Sequence, residues 1–427
     1  MNATIRTDVL IIGGGPAGLA AACAAGLEGA ATLLIEREGR LGGILKQCIH
    51  DGFGLLRYKE KLSGPEYAQR HIEEFKKSGA ALRLNTFVSK AEILPGRFAL
   101  TLCSPKGIER VETKTVVLST GCRERSARQV FIHGTRPAGI LSAGAAQYYT
   151  NILGQLPCRR CVILGSGDIG LIMARRLHLE GANVLGVYEA KPTPSGLTRN
   201  IAQCLEDYNL PLYTSHTVTR VFGSPRLEGV EIAQVDEAMR PIAGTEKQLS
   251  CDGLILSVGL IPENELAETL GVPLDNATRG PISDQRYMTL VPGIFSCGNA
   301  LMVSDLVDYV SEIGEEAGRN AARYAAAGRD TAQRRVVPVQ YDPHFLCLVP
   351  QRISLDDTKE ETKKETALFF RAQKDRDKTL IRAFAGSREL FRQVFPRLRP
   401  PEMERITVKL DDSLRCAESL RFTMEDV

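Results

Sequence analysis

The stretch TDVLIIGGGPAGLAAACAAGLEGAATLLIERE, residues 7–38, decides the fold. Residues 9–12 form an unbroken apolar run of strand length. Gly13, Gly15 and Gly18 follow with the spacing G-x-G-x-x-G. The small-residue run 20–27 predicts a helix, residues 31–35 predict a second strand, and Glu36 ends it. Strand, tight turn, helix, strand and acid in that order are what a dinucleotide-binding βαβ unit requires. Gly13 permits the turn, Gly15 lets a pyrophosphate come close to the backbone, and Gly18 lets the helix pack tightly. The helix N-terminus then faces the phosphates, and Glu36 is placed to accept ribose hydroxyls.

A second start, CRRCVILGSGDIGLIMARRLHLEGANVLGVYEA at residues 158–190, repeats the pattern. Residues 161–164 predict a strand, and Gly165, Gly167 and Gly170 keep the glycine spacing. Asp168 opens a predicted helix that runs to residue 179, and the strand at 183–188 leads into Glu189. An acid at this position favours a free 2′-hydroxyl, and so NAD(H) over NADP(H). Lys191, two residues on, moderates that preference. Two such starts in one chain imply two cofactors, or one cofactor and one dinucleotide substrate. Hydride transfer between a nicotinamide and a flavin is the natural chemistry for the pair.

Bulk composition narrows the class. The chain has 427 residues, 43% of them hydrophobic and 25% charged, as in a globular protein with an ample core. A net charge of +3, from 54 basic and 51 acidic residues, gives no support for nucleic-acid binding. No apolar run reaches the roughly 18 residues a membrane span needs. The first apolar run lacks the basic flank of a signal peptide. Eleven scattered cysteines show no framework spacing and predict free thiols in a reducing, cytoplasmic setting.

Four further stretches carry a resemblance to the pyridine nucleotide-disulfide oxidoreductase group of two-dinucleotide flavoproteins. TKTVVLSTGCRER (113–125) resembles the segment that crosses toward the flavin, with Thr120 and Gly121 in its Thr-Gly position. CDGLILSVGLIPEN (251–264), which holds Gly259, resembles the return strand of the NAD domain. TLVPGIFSCGNA (289–300) resembles the second FAD motif, with Gly298 and then Asn299 where the family usually has Asp. The glycine pair Gly42–Gly43, followed by Ile44, resembles the backbone that passes close to the flavin. The resemblance implies an α/β fold of two Rossmann-like domains and a small, mostly β C-terminal domain. Residues 1–125 and 265–328 would form the FAD domain, 126–264 the NAD(H) domain, and 335–427 the tail. It implies FAD contacts from Gly13, Gly15, Pro16, Ala17, Gly18, Glu36, Arg37 and the glycine pair, with adenine against the backbone of Val88. The dinucleotide substrate NAD(H) would meet Gly165, Gly167, Asp168, Ile169, Gly170, Glu189 and Gly259.

A closer resemblance runs through LSGPEYAQR (62–70), GTRPAGIL (134–141), NIAQCLEDYNLPLY (200–213) and DLVDYVSEIG (305–314). These stretches are similar to the flavoprotein found beside FAD-dependent glycerol-3-phosphate dehydrogenases. They are also similar to the larger subunit of opine, sarcosine and hydrogen-cyanide-forming oxidases. The implied function is an NAD(H) oxidoreductase subunit coupled to a second flavoprotein acting on glycerol-3-phosphate or a similar small substrate. The partner would be a glycerol-3-phosphate dehydrogenase-like or amino-acid oxidase-like subunit, with a small metal or iron–sulfur protein as a further one. The complex would be cytoplasmic, or lie near the membrane. A stand-alone NADH oxidase or quinone/ferredoxin reductase and a non-catalytic nucleotide-binding scaffold remain as alternatives.

The stretch GGILKQCIHDGFG (42–54) is too glycine-rich to predict a helix, and it carries Cys48 and His50. Glutathione-type reductases have C-x4-C after the glycine pair; the matching positions here are Leu45 and His50, so that dithiol is absent. The C-x-x-C at Cys158 and Cys161 enters the first strand of the second domain and reads as structural. Cys48 and His50 are the candidate catalytic pair beside the flavin, as thiol contact and proton carrier; the alternative is that they fill a loop. Too few ligands gather there for zinc. Residues 82–93 predict one strand, 66–77 a helix, and 311–328 a helix ended by Gly328; the resemblance implies that the start of this last helix lies under the pyrimidine edge of the flavin. In the tail, β-like runs flank a charged stretch, DDTKEETKKE, and a docking role toward a partner subunit is expected.

Overall fold

The computed structural model describes residues 4–328, 335–355 and 365–427. Nearly all of the charged stretch DDTKEETKKE lies outside the described residues. Two compact units form, one from Met1–Cys122 with Pro262–Val427, the other from Arg123–Ile261.

The first unit is built on a seven-stranded sheet. The apolar strand Ile5–Ile12 lies between Thr32–Ile35 and Gly107–Leu118, parallel to both. Such a doubly flanked strand must be apolar on both faces, and residues 9–12 are fully or nearly fully buried. Ala81–Arg83 extends one side, Arg97–Ser104 and Phe87–Leu94 extend the other, and Ile294–Ser296 returns late in the chain to pair with Gly107–Leu118. The helix Pro16–Leu27 packs on the long helix Val307–Ala327. Gly314 and Gly318 allow this approach: a Cβ on either would lie 2.3 Å from Ala17 O or 2.1 Å from Ala21 O.

The single strand expected over residues 82–93 is instead two, on opposite edges of the sheet. Asn85 breaks it with φ +49, a left-handed conformation that Asn tolerates. The glycine-rich stretch expected to hold no helix contains a short 3₁₀ helix, Gly43–Gln47. Left-handed φ values at Gly42 (+106) and Gly43 (+55) turn the chain into it. The long helix begins at Val307, earlier than residue 311, and ends at Gly328.

The second unit has a five-stranded parallel sheet ordered Ile140–Ser142, Gly253–Leu256, Arg160–Leu164, Asn183–Glu189, Leu212–Thr214. A four-stranded sheet, His133–Gly134, His216–Phe222, Gly229–Gln234 and Lys247–Ser250, accompanies it. The tail adds a five-stranded and a three-stranded sheet to the first unit, around a core that includes Phe345, Phe370, Phe395 and Phe422. It is fastened by reciprocal hydrogen bonds between Gln285 and Ser354 and by Arg352 donating to Thr289 O at 2.6 Å. Among the described residues no helix is long and apolar enough to cross a membrane.

Candidate functional site

Parallel strands deliver their C-terminal ends to one rim of a sheet, and the first glycine turn stands at such a rim. Gly13 has φ +109, and a Cβ there would lie 2.3 Å from Ser119 O. A Cβ on Gly18 would lie 1.8 Å from Gly13 O, so only glycine lets the helix start this close to the strand. Pro16 occupies the first helical turn, where its missing N–H costs nothing, and Ala17 follows it. Ser119 closes the turn from the neighbouring strand, its hydroxyl donating to Ile12 O (2.8 Å) and Gly13 O (3.0 Å).

Glu36 is buried and held by two backbone donors, Gly14 N on Oε2 and Glu38 N on Oε1, both at 2.7 Å. Each oxygen keeps one lone pair for a ligand hydroxyl. The glycine pair lies along the same turn: Gly42 N donates to Gly14 O at 2.9 Å, and a Cβ on Gly43 would lie 2.9 Å from Gly15 Cα. A Cβ on Gly15 itself would meet nothing closer than 3.9 Å, which leaves its outer face open. Backbone N–H groups at a helix N-terminus, an open glycine face and a buried acid with two remaining lone pairs suit a dinucleotide.

Other predicted residues gather around this turn. Thr86 N donates to Glu36 O at 2.9 Å, which places the strand carrying Val88 beside the acid. Thr120 Oγ1 donates to Glu263 O (2.6 Å), Glu263 N to Gly121 O (2.9 Å), and Arg37 pairs with Glu263 at 3.4 Å. Gly298, with φ +63, packs on the turn helix, where a Cβ would lie 2.7 Å from Ala17 Cβ. Asn299 uses both ends of its amide, accepting from Ser304 N (3.1 Å) and donating to Cys122 Sγ (3.5 Å). Aspartate could make only the first of these bonds. Ile44 is exposed while Leu45 is buried.

The second unit carries the second turn. Gly165 has φ +99 and would place a Cβ 2.0 Å from Ser257 O; a Cβ on Gly170 would fall 2.4 Å from Gly165 O. Gly167 is the N-cap residue of the helix Asp168–Leu179, and Ile169 packs against the core beneath. Asp168 accepts from Leu197 N (2.9 Å) and Asn200 Nδ2 (2.7 Å), so its carboxylate is turned to the segment after the second strand. Glu189 is buried and accepts from Ser166 N (3.1 Å), Ser166 Oγ (2.6 Å) and Lys191 N (3.0 Å). Gly259, with φ +101, accepts from Arg125 N at 3.1 Å.

The thiols tell a different story. Cys48 Sγ donates to Ile44 O at 3.4 Å, and burial pushes its pKa up to about 12. A thiol so desolvated stays protonated and is a poor nucleophile. The His50 ring lies 5.1 Å from that of Phe53. Cys158 and Cys161 are both buried and hydrogen-bonded to one another, and Cys161 is held above the usual thiol range by that bond and by burial. Cys161 sits at the start of the strand Arg160–Leu164, and the glycine turn follows its end. At about 3.3 Å per residue the pair lies roughly 10 Å from the nucleotide rim. None of the described cysteines forms a disulfide.

Sequence reasoning missed a buried polar cluster beside the long helix. Arg57 bonds Glu315 (2.6 Å) and Glu74 (3.1 Å), while its backbone N donates to Asp308 (3.0 Å) in the first turn of that helix. Tyr67 OH meets Ser311 Oγ at 2.8 Å, and the fully buried His71 stacks on Tyr67 at 4.8 Å. Burial, and then the charge of Arg57, lower the His71 pKa to about 3. From the tail, Arg371 pairs with Asp305 (2.6 Å) and Arg405 with Glu312 (2.7 Å), gripping the start of the same helix. The helix Gly64–Lys77 supplies Tyr67, His71 and Glu74, but Glu315, Arg371 and Arg405 come from far along the chain, and no spacing announces their meeting.

Comparison with known proteins agrees with this geometry. The family model described as pyridine nucleotide-disulphide oxidoreductase matches residues 7–336. Hydrogen cyanide synthase subunit HcnB of Pseudomonas aeruginosa is 25% identical over 354 residues, 78% of this chain and 72% of that protein. An opine oxidase subunit of Agrobacterium tumefaciens is 25% identical over 340 residues, 75% of this chain and 65% of its own length. The crystal structure of T. acidophilum thioredoxin reductase shares the fold, with TM-score 0.62 and 23% identity over 75% of this chain and 99% of that one.

Proposed function

Because this chain belongs to the pyridine nucleotide-disulphide oxidoreductase family, flavin-dependent enzymes that use FAD and NAD(P)H, we propose that it is the NAD(H)-handling flavoprotein subunit of a small-substrate dehydrogenase or oxidase. FAD is assigned to the turn at residues 13–18 and NAD(H) to the turn at 165–170. The observation that carries this reading is the pair of complete glycine-turn and buried-acid sets, Glu36 in one unit and Glu189 in the other. The similarity to subunits named for hydrogen cyanide synthase and opine oxidase supports a partner flavoprotein. Its substrate would be glycerol-3-phosphate or a related hydroxy or amino acid, and the complex would be cytoplasmic.

The bound flavin supplies the two-electron chemistry. The chain binds and orients. N–H groups at the start of the helix Pro16–Leu27 would hold the pyrophosphate, and Glu36 would hold the ribose. The N-terminal end of the helix Val307–Ala327, held in place by Arg57, Arg371 and Arg405, would favour negative charge on a ring bound beside it. The protonated thiol of Cys48 and the buried pair at 158 and 161 make a dithiol relay unnecessary to this reading.

Anaerobic titration of the FAD-loaded protein with NADH tests the assignment. Bleaching of the visible flavin band is expected. Bound FAD that NADH does not reduce would leave only a scaffold role, and rapid oxygen-dependent turnover by the isolated chain would favour a stand-alone oxidase. Purification of the native chain with mass identification of its partners tests the coupling, and recovery of a second flavoprotein dehydrogenase is expected.

A further inference from the structure

Ser166 stands between the first two glycines of the second turn and is fully buried. Its hydroxyl donates to Glu189 Oε2 at 2.6 Å and accepts from Ser195 N at 2.9 Å. Its backbone N donates to the same Oε2 at 3.1 Å. Oε2 of Glu189 therefore already receives two hydrogen bonds, while Oε1 receives one, from Lys191 N. A carboxylate offers about four acceptor sites, two on each oxygen. Only one remains on Glu189, and it is on Oε1. The equivalent position in the first turn is Gly14, which has no hydroxyl, and Glu36 keeps one site on each oxygen.

We propose that Ser166 is a specificity-determining residue of the second site: it saturates one oxygen of Glu189, so the acid reads a single hydroxyl of the adenosine ribose rather than the 2′,3′ pair. This rests on the assignment of NAD(H) to the turn at 165–170. Ser166 also ties the acid to the segment after the second strand. Ser195 N binds the hydroxyl, and two residues on, Leu197 N binds Asp168 at the head of the turn helix. Ser166 thus fixes both the carboxylate and the chain that passes over the turn. It acts through Glu189 and is a positioning residue.

The test measures dissociation constants of NADH, 2′-deoxy-NADH and 3′-deoxy-NADH, each altered only in the adenosine ribose, for the FAD-loaded protein and for S166A. In the unaltered protein, removal of one hydroxyl should weaken binding about tenfold, an ordinary charged hydrogen bond, and removal of the other should change it little. In S166A a site on Oε2 is freed, and both deletions should cost affinity to a similar degree. The S166T variant keeps a hydroxyl and should restore the one-sided profile. The proposal is overturned if both deletions already cost equally in the unaltered protein, or if S166A keeps its profile. Failure of the underlying assignment looks different: NADH binding would then be insensitive to E189Q. FAD content monitors folding of each variant, and the profile of the unaltered protein decides the proposal even if S166A folds poorly.

Discussion

The two glycine turns of this chain have the same spacing and the same buried acid, yet they hold that acid differently. In the first unit Gly14 gives Glu36 a single backbone donor, and the second donor comes from Glu38 N. In the second unit Ser166 gives Glu189 both a backbone and a side-chain donor, and Lys191 N adds a third. The comparison teaches that the variable letter in G-x-G is not filler. It sets how much acceptor capacity the acid has left, and so what the acid can recognise.

The harshest way to probe the comparison is to fill a glycine in each turn. In Gly18→Val the new Cβ would collide with Gly13 O, and FAD is expected to be absent from the purified protein, read from the flavin absorbance per polypeptide. In Gly170→Val the collision is with Gly165 O. FAD should remain, while reduction by NADH is lost. If Gly18→Val kept its FAD, or Gly170→Val lost it, the assignment of one ligand to each turn would be wrong.

Acid should separate the units next. His71, in the first unit, has its folded pKa lowered to about 3, against about 6.5 when unfolded. The unfolded chain therefore takes up a proton that the folded chain refuses. This contribution to stability is complete above about pH 6.5 and is lost as pH falls toward 3, a total on the order of a few kcal/mol. Flavin release and denaturant midpoints measured across that window should show the loss, and H71F should flatten the slope. An unchanged slope would mean that the ring is solvated in solution.

An effect of similar size is expected from Glu36→Ala. It strips the acceptor from two backbone N–H groups around a buried site, at about 1–3 kcal/mol each. Chemical denaturation with and without added FAD would separate the loss of stability from the loss of affinity. Smaller again is Cys48→Ser. The rate of flavin reduction by NADH should fall less than about tenfold, that is by less than 1.4 kcal/mol of barrier. A larger fall would restore Cys48 to the chemistry. Least of all, replacing Cys158 and Cys161 together by serine should leave that rate unchanged, since the pair lies at the far end of its strand.

The parts of this molecule that could be read in advance are those governed by local rules. Gly18 and Gly170 are demanded by collisions with Gly13 O and Gly165 O, five residues earlier in each turn, so spacing alone reveals them. The helix Asp168–Leu179 and the strand ending in Glu189 follow from apolar pattern and an acid in the right place. What escaped depends on residues distant in the chain. The break at Asn85 looks like an ordinary polar residue in a strand until the two halves are seen on opposite edges of a sheet. Arg57, Arg371 and Arg405 converge on one helix end from three separate regions, and isolated arginines carry no sign of their destination. The role of Ser166 was hidden for another reason: the motif treats its position as free.

The tail's hold on the long helix extends inward as well. Val349, Phe369 and Met403 share one apolar core with the buried faces of the helices Pro16–Leu27 and Val307–Ala327. A chain cut before residue 335 would therefore not be a trimmed two-nucleotide enzyme. It would expose a greasy socket where those three side chains had been, and its expected fate is self-association.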